Sequence, residues 1–220
     1  ASNNTAVGYF ALKTNTTGHS NVAVGSDALD ANTTGNFNTG IGHKALTANT
    51  TAERNTAVGM NALELNTTGA SNTALGQGAL TNNTTAANNT AVGRAALNDN
   101  TTGEQNVAVG SFALDVNTTA SNNTAVGNSA LSANTTGQQN VAFGSGALQS
   151  NTTANYNNAI GAFTLRDNTT GAQNTALGHG ALLVSTTASN NTGVGFNALI
   201  SNTTGASNTA IGAYTLDANT

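Results

Sequence analysis

The sequence predicts a β-rich solenoid of the parallel β-helix or β-roll type, built from thirteen 17-residue units in one array over residues 1–220. Glycine recurs every 17 residues from Gly8 to Gly212 without a single insertion. Only 6% of residues are charged, which is far too few for an ordinary soluble surface. Only 4% are aromatic, so the chain also has few of the large side chains that fill an ordinary core. A fixed period of this length is typical of repeat architectures, in which neighbouring units bury one another.

Numbered from the Asn four residues before that Gly, the unit reads N-T-A-V-G-x-x-A-L-x-x-N-T-T-G/A-x-x, and the thirteenth copy is incomplete. Asn at position 1, Gly at position 5 and Leu at position 9 occur in all thirteen units, and Asn at position 12 in twelve, with Ser185 as the exception. Positions 6, 7, 10, 11, 16 and 17 vary freely. Because recent duplication would have kept those columns alike too, the fixed columns indicate selection on structure.

Each element of the unit follows from its fixed columns. Alternation over positions 1–4 predicts a four-residue strand that ends at the Gly. Positions 5, 8, 9 and 12 fall on one side of a helical wheel, which predicts one or two turns of α- or 3₁₀-helix. The N-T-T-G/A segment is then the return corner, since Asn tolerates a left-handed backbone and Thr hydroxyls cap nearby backbone groups.

One unit cannot fold alone, because about one Val, one Leu and two Ala cannot offset the chain entropy of 17 residues. Stacking predicts continuous Leu and Val spines and hydrogen-bonded ladders of Asn and Thr. A plain turn-forming role is the alternative for the Asn columns. The predicted structural positions include Asn4, Asn21, Asn38 and Asn55; Gly8, Gly25, Gly42 and Gly59; and Leu12, Leu29, Leu46 and Leu63.

A weaker 34-residue period lies over the first, because position 15 alternates between Gly and Ala from the second unit onward. Two explanations remain open from the sequence. Either a two-unit block was duplicated, or two units form one coil and face different neighbours.

The composition argues against several functions. The chain has no Cys, and His19, His43 and His179 lie in variable columns without a recurring carboxylate or hydroxyl beside them. We therefore expect no enzyme activity, no cofactor and no metal site. A net charge of −4 without a basic stripe argues against nucleic acid, and no apolar run is long enough for a membrane span.

Three surface features remain as candidates. Asn-Thr-Thr is an N-glycosylation sequon, which makes Asn15, Asn32, Asn49 and Asn66 candidate acceptors, although corner geometry explains the same triplet. Thr residues also permit O-linked sugars, and a Thr-bearing β-face is typical of ice-binding solenoids. The aromatic residues of the variable columns are candidate contacts to sugars or to another chain: Tyr9, Phe10, Phe37, Phe112, Tyr156, Phe163, Phe196 and Tyr214.

The segment Asn55 to Gly69, NTAVGMNALELNTTG, resembles the tandem repeats of phage tail-fibre-like proteins and bacterial surface proteins, and this resemblance covers the whole chain. The N-T-A-V-G core is more loosely similar to the S-V-A-I-G motif of trimeric autotransporter adhesin heads, which are left-handed parallel β-rolls. The resemblance implies an extracellular fibre at a cell surface or on a virion, and it supplies no functional residues.

The function predicted from the sequence is that of a non-enzymatic structural or adhesive fibre or filament segment that forms a homo-oligomer. The resemblance implies a trimer, and open ends of a stack favour either terminal caps outside this segment or end-to-end assembly. A glycan or another cell-surface ligand is the expected further partner. A glycan-decorated surface filament or an ice-binding solenoid is the alternative.

Overall fold

Each 17-residue unit forms one coil of a parallel β-solenoid, which confirms the predicted fold class. The computed structural model describes residues 1–219, which form two compact units, Ala1–Asn106 and a second that begins at Val107. In both units, strands pair in parallel with residues 17 positions away, as Thr5 does with Val22. The structure thus excludes two repeats per coil, because one repeat makes one turn.

The first unit contains six strands in sequential order, each paired with the next. Their bounds are β1 Thr5–Val7, β2 Val22–Val24, β3 Thr39–Ile41, β4 Thr56–Val58, β5 Thr73–Leu75 and β6 Thr90–Val92.

The second unit contains seven strands with the same register. Their bounds are β7 Val107–Val109, β8 Thr124–Val126, β9 Val141–Phe143, β10 Asn158–Ile160, β11 Thr175–Leu177, β12 Thr192–Val194 and β13 Thr209–Ile211. Strands therefore span positions 2–4 of the repeat and are one residue shorter than the sequence predicted.

The predicted helical turn at positions 5–12 is wrong, since no residue from 1 to 219 lies in a helix. Three consecutive tight turns occupy this segment instead. In the first coil, the amides of Ala11, Lys13 and Asn15 donate to the carbonyls three residues earlier, at 3.3–3.4 Å. The residues at positions 7 and 9, such as Phe10 and Leu12, have left-handed backbones with φ of 56° and 53°.

Coil spacing explains why turns replace the helix. Helices pack about 8–10 Å apart, whereas paired strands repeat at about 4.8 Å, so a helix in every coil would not fit the spacing that the strands impose. The turns bond directly to the next coil, and Leu12 N donates to Ala28 O at 3.0 Å. A left-handed Leu costs roughly 1–2 kcal/mol. Burial of its side chain offsets this cost, because Leu29 in the next coil is fully buried.

The interior is filled by Leu at position 9 and by small residues at positions 3 and 8. Ala23, Ala28 and Leu29 illustrate this pattern, each with no exposed surface. The predicted Val spine is not part of this core. Position 4 lies on the outer face of the strand, where Val7 is 59% exposed and Ile41 is 38% exposed. Because strand side chains alternate, the inward position of each strand is the small residue at position 3.

The Gly at position 5 is required for two reasons, its backbone conformation and the close approach of the next coil. Gly25 has a φ of 133°, a conformation that side-chain-bearing residues rarely adopt. A Cβ placed there would lie 2.5 Å from the carbonyl oxygen of Gly42 in the next coil. Conformation and close approach together account for the presence of Gly in all thirteen units.

Position 15, which carries the weaker period, lies where adjacent coils approach each other closely. A Cβ on Gly35 would clash with the carbonyl oxygen of Ala52, the corresponding residue of the following coil. Space between adjacent coils is therefore tight at this position. No two successive units carry Ala there, so the methyl groups are spread over alternate coils. The same close approach holds where the next coil carries Gly, since a Cβ on Gly18 would lie 2.5 Å from the carbonyl oxygen of Gly35. Packing therefore limits the residue at this position to a small one, and it does not by itself set the alternation.

Candidate functional surfaces

The Asn side chains at position 1 link successive coils from inside the solenoid. The Asn4 side-chain oxygen accepts a hydrogen bond from the Asn21 backbone N–H at 2.9 Å, and Asn21 does the same for Asn38 at 2.8 Å. Each side-chain amide also donates within its own coil, as Asn38 Nδ2 does to Ala52 O at 2.8 Å. Asn21, Asn38 and Asn55 are fully buried. These bonds fit a ladder rather than the alternative of a simple turn former.

The Asn side chains at position 12 form a second ladder. Asn32 Nδ2 donates to Asn15 Oδ1 at 3.0 Å, and Asn49 Nδ2 donates to Asn32 Oδ1 at 2.9 Å. Each amide also donates to the carbonyl three residues later, as in Asn66 to Gly69 at 2.9 Å. Asn32, Asn49 and Asn66 have no exposed surface, and Asn15 is half-buried. The folded coils therefore leave no reachable amide for a glycan at Asn32, Asn49 or Asn66.

Ser185 interrupts this second ladder, because its side chain is too short to reach the previous rung. The oxygen Asn168 Oδ1 and the hydroxyl of Ser185 are both buried and have no hydrogen-bond partner. In the preceding coils the equivalent oxygen accepts a bond, as Asn151 Oδ1 does from Asn168 at 2.9 Å. The substitution thus leaves one acceptor unsatisfied in the core.

Two Thr columns mark the return corner. The hydroxyl at position 13 donates to the carbonyl of the corresponding Thr in the next coil, as in Thr33 to Thr50 at 3.1 Å. The side chain at position 14 is exposed in each of the twelve units that include this position, with Thr34 and Thr51 as examples. The corner therefore presents a regular row of hydroxyl and methyl groups to solvent.

The outer face of the strands carries two rows of different chemistry. Position 2 is Thr in nine units, Val in three and Asn in one, whereas position 4 is apolar in all thirteen. We call the second set the position-4 row: Val7, Val24, Ile41, Val58, Leu75, Val92, Val109, Val126, Phe143, Ile160, Leu177, Val194 and Ile211. Sequence reasoning missed this surface, because it assigned the row to the core.

The second unit carries a continuous aromatic strip on four consecutive coils. The ring of His179 packs edge-on against Phe163, with centroids 5.9 Å apart, and stacks with Phe196 at 5.4 Å. Tyr214 continues the strip, with its ring centroid 5.3 Å from that of Phe196. All four residues are exposed. The sequence placed them in variable columns, and neighbouring positions 6 and 7 bring them together in space.

One pair of titratable groups forms a close ion pair on the second unit. Arg166 Nε and Asp167 Oδ1 are 2.7 Å apart, and this hydrogen-bonded pair lowers the pKa of Asp167 and raises the pKa of Arg166. Among residues 1–219, no three His, Cys, Asp or Glu side chains lie close enough to hold a metal ion. Within that same range, no helix is long and apolar enough to cross a membrane.

No protein-family model, no curated protein and no solved structure matches this chain.

Proposed function

We propose that the protein is a non-enzymatic structural segment of an extracellular fibre or filament, at a cell surface or on a virion, and that it works as a homo-oligomer. It spaces and presents a binding surface instead of enclosing a substrate. The resemblance of its repeats to those of tail-fibre-like and bacterial surface proteins supports this proposal.

The observation that carries the proposal is the division between inward and outward columns. Asn, Gly and Leu of the stacking columns hardly change along the chain, while the outward positions 6, 7, 10, 11, 16 and 17 vary freely. A sequence of this kind maintains the stack and leaves most of the surface open to change. This distribution is expected of a scaffold.

Imaging and localisation test the proposal. We expect electron microscopy and sedimentation of the purified chain to reveal fibres or discrete oligomers, and antibodies against it to label the surface of the source cells or particles. A chain that stays monomeric at every concentration and is found only inside cells would overturn the proposal.

A glycan is the ligand that the aromatic strip favours. Aromatic rings in consecutive coils offer apolar faces and edges along a line, which suits the C–H surfaces of a sugar chain. Phe196→Ala removes a central ring of the strip. Phe37→Ala is the control, because Phe37 lies outside the strip and is similarly exposed, at 51% against 45% for Phe196. On a glycan array, we expect Phe196→Ala to lose binding and Phe37→Ala to retain it. Equal binding by both variants would exclude the strip as the glycan site.

Two alternatives rest on the Thr columns. The exposed row at position 14 favours O-linked decoration, which intact-mass measurement of the native protein tests directly. The outward Thr at position 2 favours ice binding, although Asn158 and the bulky Phe143 break the regularity of that face. Thermal hysteresis of the purified chain tests ice binding.

A further inference from the structure

We propose that the position-4 row is the contact surface through which one copy of this chain packs against a second copy. This inference rests on the proposed homo-oligomeric scaffold and assigns its interface. The row is apolar in each unit, and its larger side chains are exposed: Leu75 in the first unit is 46% exposed, and Phe143 in the second is 54% exposed. The Val residues of the row other than Val7 are half-buried.

Strand propensity does not explain the row. Thr favours strands as Val and Ile do, and position 2, which faces outward from the same strands, accepts Thr in nine units and Asn158 in one. Position 4 carries neither Thr nor Asn in any unit. Leu75 and Leu177 lack the β-branched side chain that strands favour, yet both are apolar. The shared property of the row is therefore its apolar character, which is costly at a surface that stays in water.

The distribution of charge supports the same conclusion. The chain has fourteen charged residues, and none of them lies at position 2 or position 4 of any unit. They occupy the variable columns, as Lys13, Glu64 and Arg94 do. An uncharged face fits the buried centre of an interface, and the exposed Thr row at position 14 is uncharged as well, so the apolar side chains are what distinguish position 4. Two copies of an uncharged face also meet without the like-charge repulsion expected of a chain with a net charge of −4.

A second copy suits this face because it has the same period. The row repeats once per coil, and paired strands lie about 4.8 Å apart, so side chains of one face can fit between those of an identical face at every coil. A partner without this repeat would match the row at only a few points. Identical sheet faces that interdigitate are a known mode of tight packing.

The size of the face sets the strength of the contact. Three residues per strand at about 3.3 Å each, with strands about 4.8 Å apart, give the six strands of the first unit a footprint of roughly 300 Å². A standard stable interface uses about 800 Å² from each partner. The outer sheet face of one unit, of which the position-4 row is a part, is therefore less than half of a standard interface, which predicts weak association that is detected only at high protein concentration.

Leu75→Glu tests the interface, and Leu65→Glu is its matched control. Both residues are Leu in the first unit with nearly equal exposure (46% and 45%), but Leu65 lies at position 11, away from the row. Sedimentation velocity over about 1 μM to 1 mM measures the association constant. We expect the wild type to associate, Leu75→Glu to associate at least about tenfold more weakly because its carboxylate would be buried without a partner, and Leu65→Glu to match the wild type.

Each outcome decides the proposal. A wild-type protein that stays monomeric over the whole concentration range contradicts both the interface and the homo-oligomer. Loss of thermal hysteresis in Leu75→Glu would in that case identify the row as an ice-binding face. Wild type that associates with Leu75→Glu unchanged, or with both variants equally weakened, overturns the interface alone. Thermal unfolding by circular dichroism controls for folding. If Leu75→Glu fails to fold, Leu75→Thr takes its place, with a smaller expected loss of association.

Discussion

The side chains of Asn21 and Asn32 converge on one acceptor, the carbonyl oxygen of Gly35, with donor–acceptor distances of 2.8 and 3.1 Å. Asn21 lies at the start of the coil and Asn32 begins its return corner, so the shared acceptor closes the coil upon itself. Each side-chain oxygen then accepts a bond from the following coil. One residue type thus closes the coil and also joins it to the next, which explains why Asn occupies position 1 in all thirteen units and position 12 in all but the unit of Ser185.

Replacement of a buried ladder residue tests this role. In the wild type, the side-chain amide of Asn49 donates to Asn32 Oδ1 and to Ala52 O. Asn49→Asp replaces this donor by a carboxylate that is buried without a cation. We expect a loss of about 3 kcal/mol or more in the free energy of unfolding at pH 7, measured by chemical denaturation.

Asn88→Asp is the matched control for that variant. Asn88 lies at position 17, is exposed and has a left-handed backbone that Asp also tolerates. The same chemical change should cost less than about 0.5 kcal/mol there. If both variants lost similar stability, the ladder would not be the cause.

Ser185→Asn should stabilise the protein. The longer side chain restores the missing rung, because its amide reaches the unsatisfied Asn168 Oδ1 and can donate to Ala188 O as in other coils. We expect a gain of about 1–2 kcal/mol in thermal or chemical unfolding. Ser201→Asn is the control, since it adds the same group at position 11, where Asn82 shows that Asn is accepted. An equal gain in the control would contradict the ladder explanation.

The tight spacing at position 15 predicts an asymmetry between two opposite substitutions. Gly35→Ala places a methyl group against Ala52 O and Asn32 Oδ1, and it should cost about 2–3 kcal/mol or more. Ala52→Gly removes one methyl group and should cost only about 1 kcal/mol. Denaturant midpoints of the two variants provide the comparison. Equal losses would mean that the space between adjacent coils does not restrict position 15.

Fixed columns were sufficient to predict the architecture but not the path of the chain within a coil. The 17-residue period and the small residues required a stack, and the uniform Leu column placed residues such as Leu63 inside. The turns were missed because a left-handed Leu is rare, and a helical wheel brings positions 8 and 9 inward equally well. Coil spacing, which the sequence does not state, excludes the helix.

The outward rows could have been recognised from one signal. Position 3 is always Ala or Gly, whereas position 4 ranges from Val24 to Phe143. In a narrow coil that already holds one Leu, the inward strand position must be small, so the column that tolerates Phe belongs outside. Hydrophobicity alone suggested the opposite, because apolar side chains are usually assigned to a core. The aromatic strip was hidden because its members are divided between positions 6 and 7.

The inside and outside assignment itself is tested by one pair of variants. Leu114 is fully buried at position 9 of its coil, and Gln105 is exposed at position 17 with a φ of 59°. Leu114→Asp buries a charge and empties part of the Leu spine, so we expect a loss of at least about 4 kcal/mol or local unfolding, detected by denaturation and hydrogen exchange. Gln105→Asp should remain within about 0.5 kcal/mol of the wild type, because its carboxylate stays in water and Asp tolerates a left-handed backbone. Since both variants introduce the same residue, a similar loss in the two would refute the assignment of Leu to the interior and of position 17 to the surface.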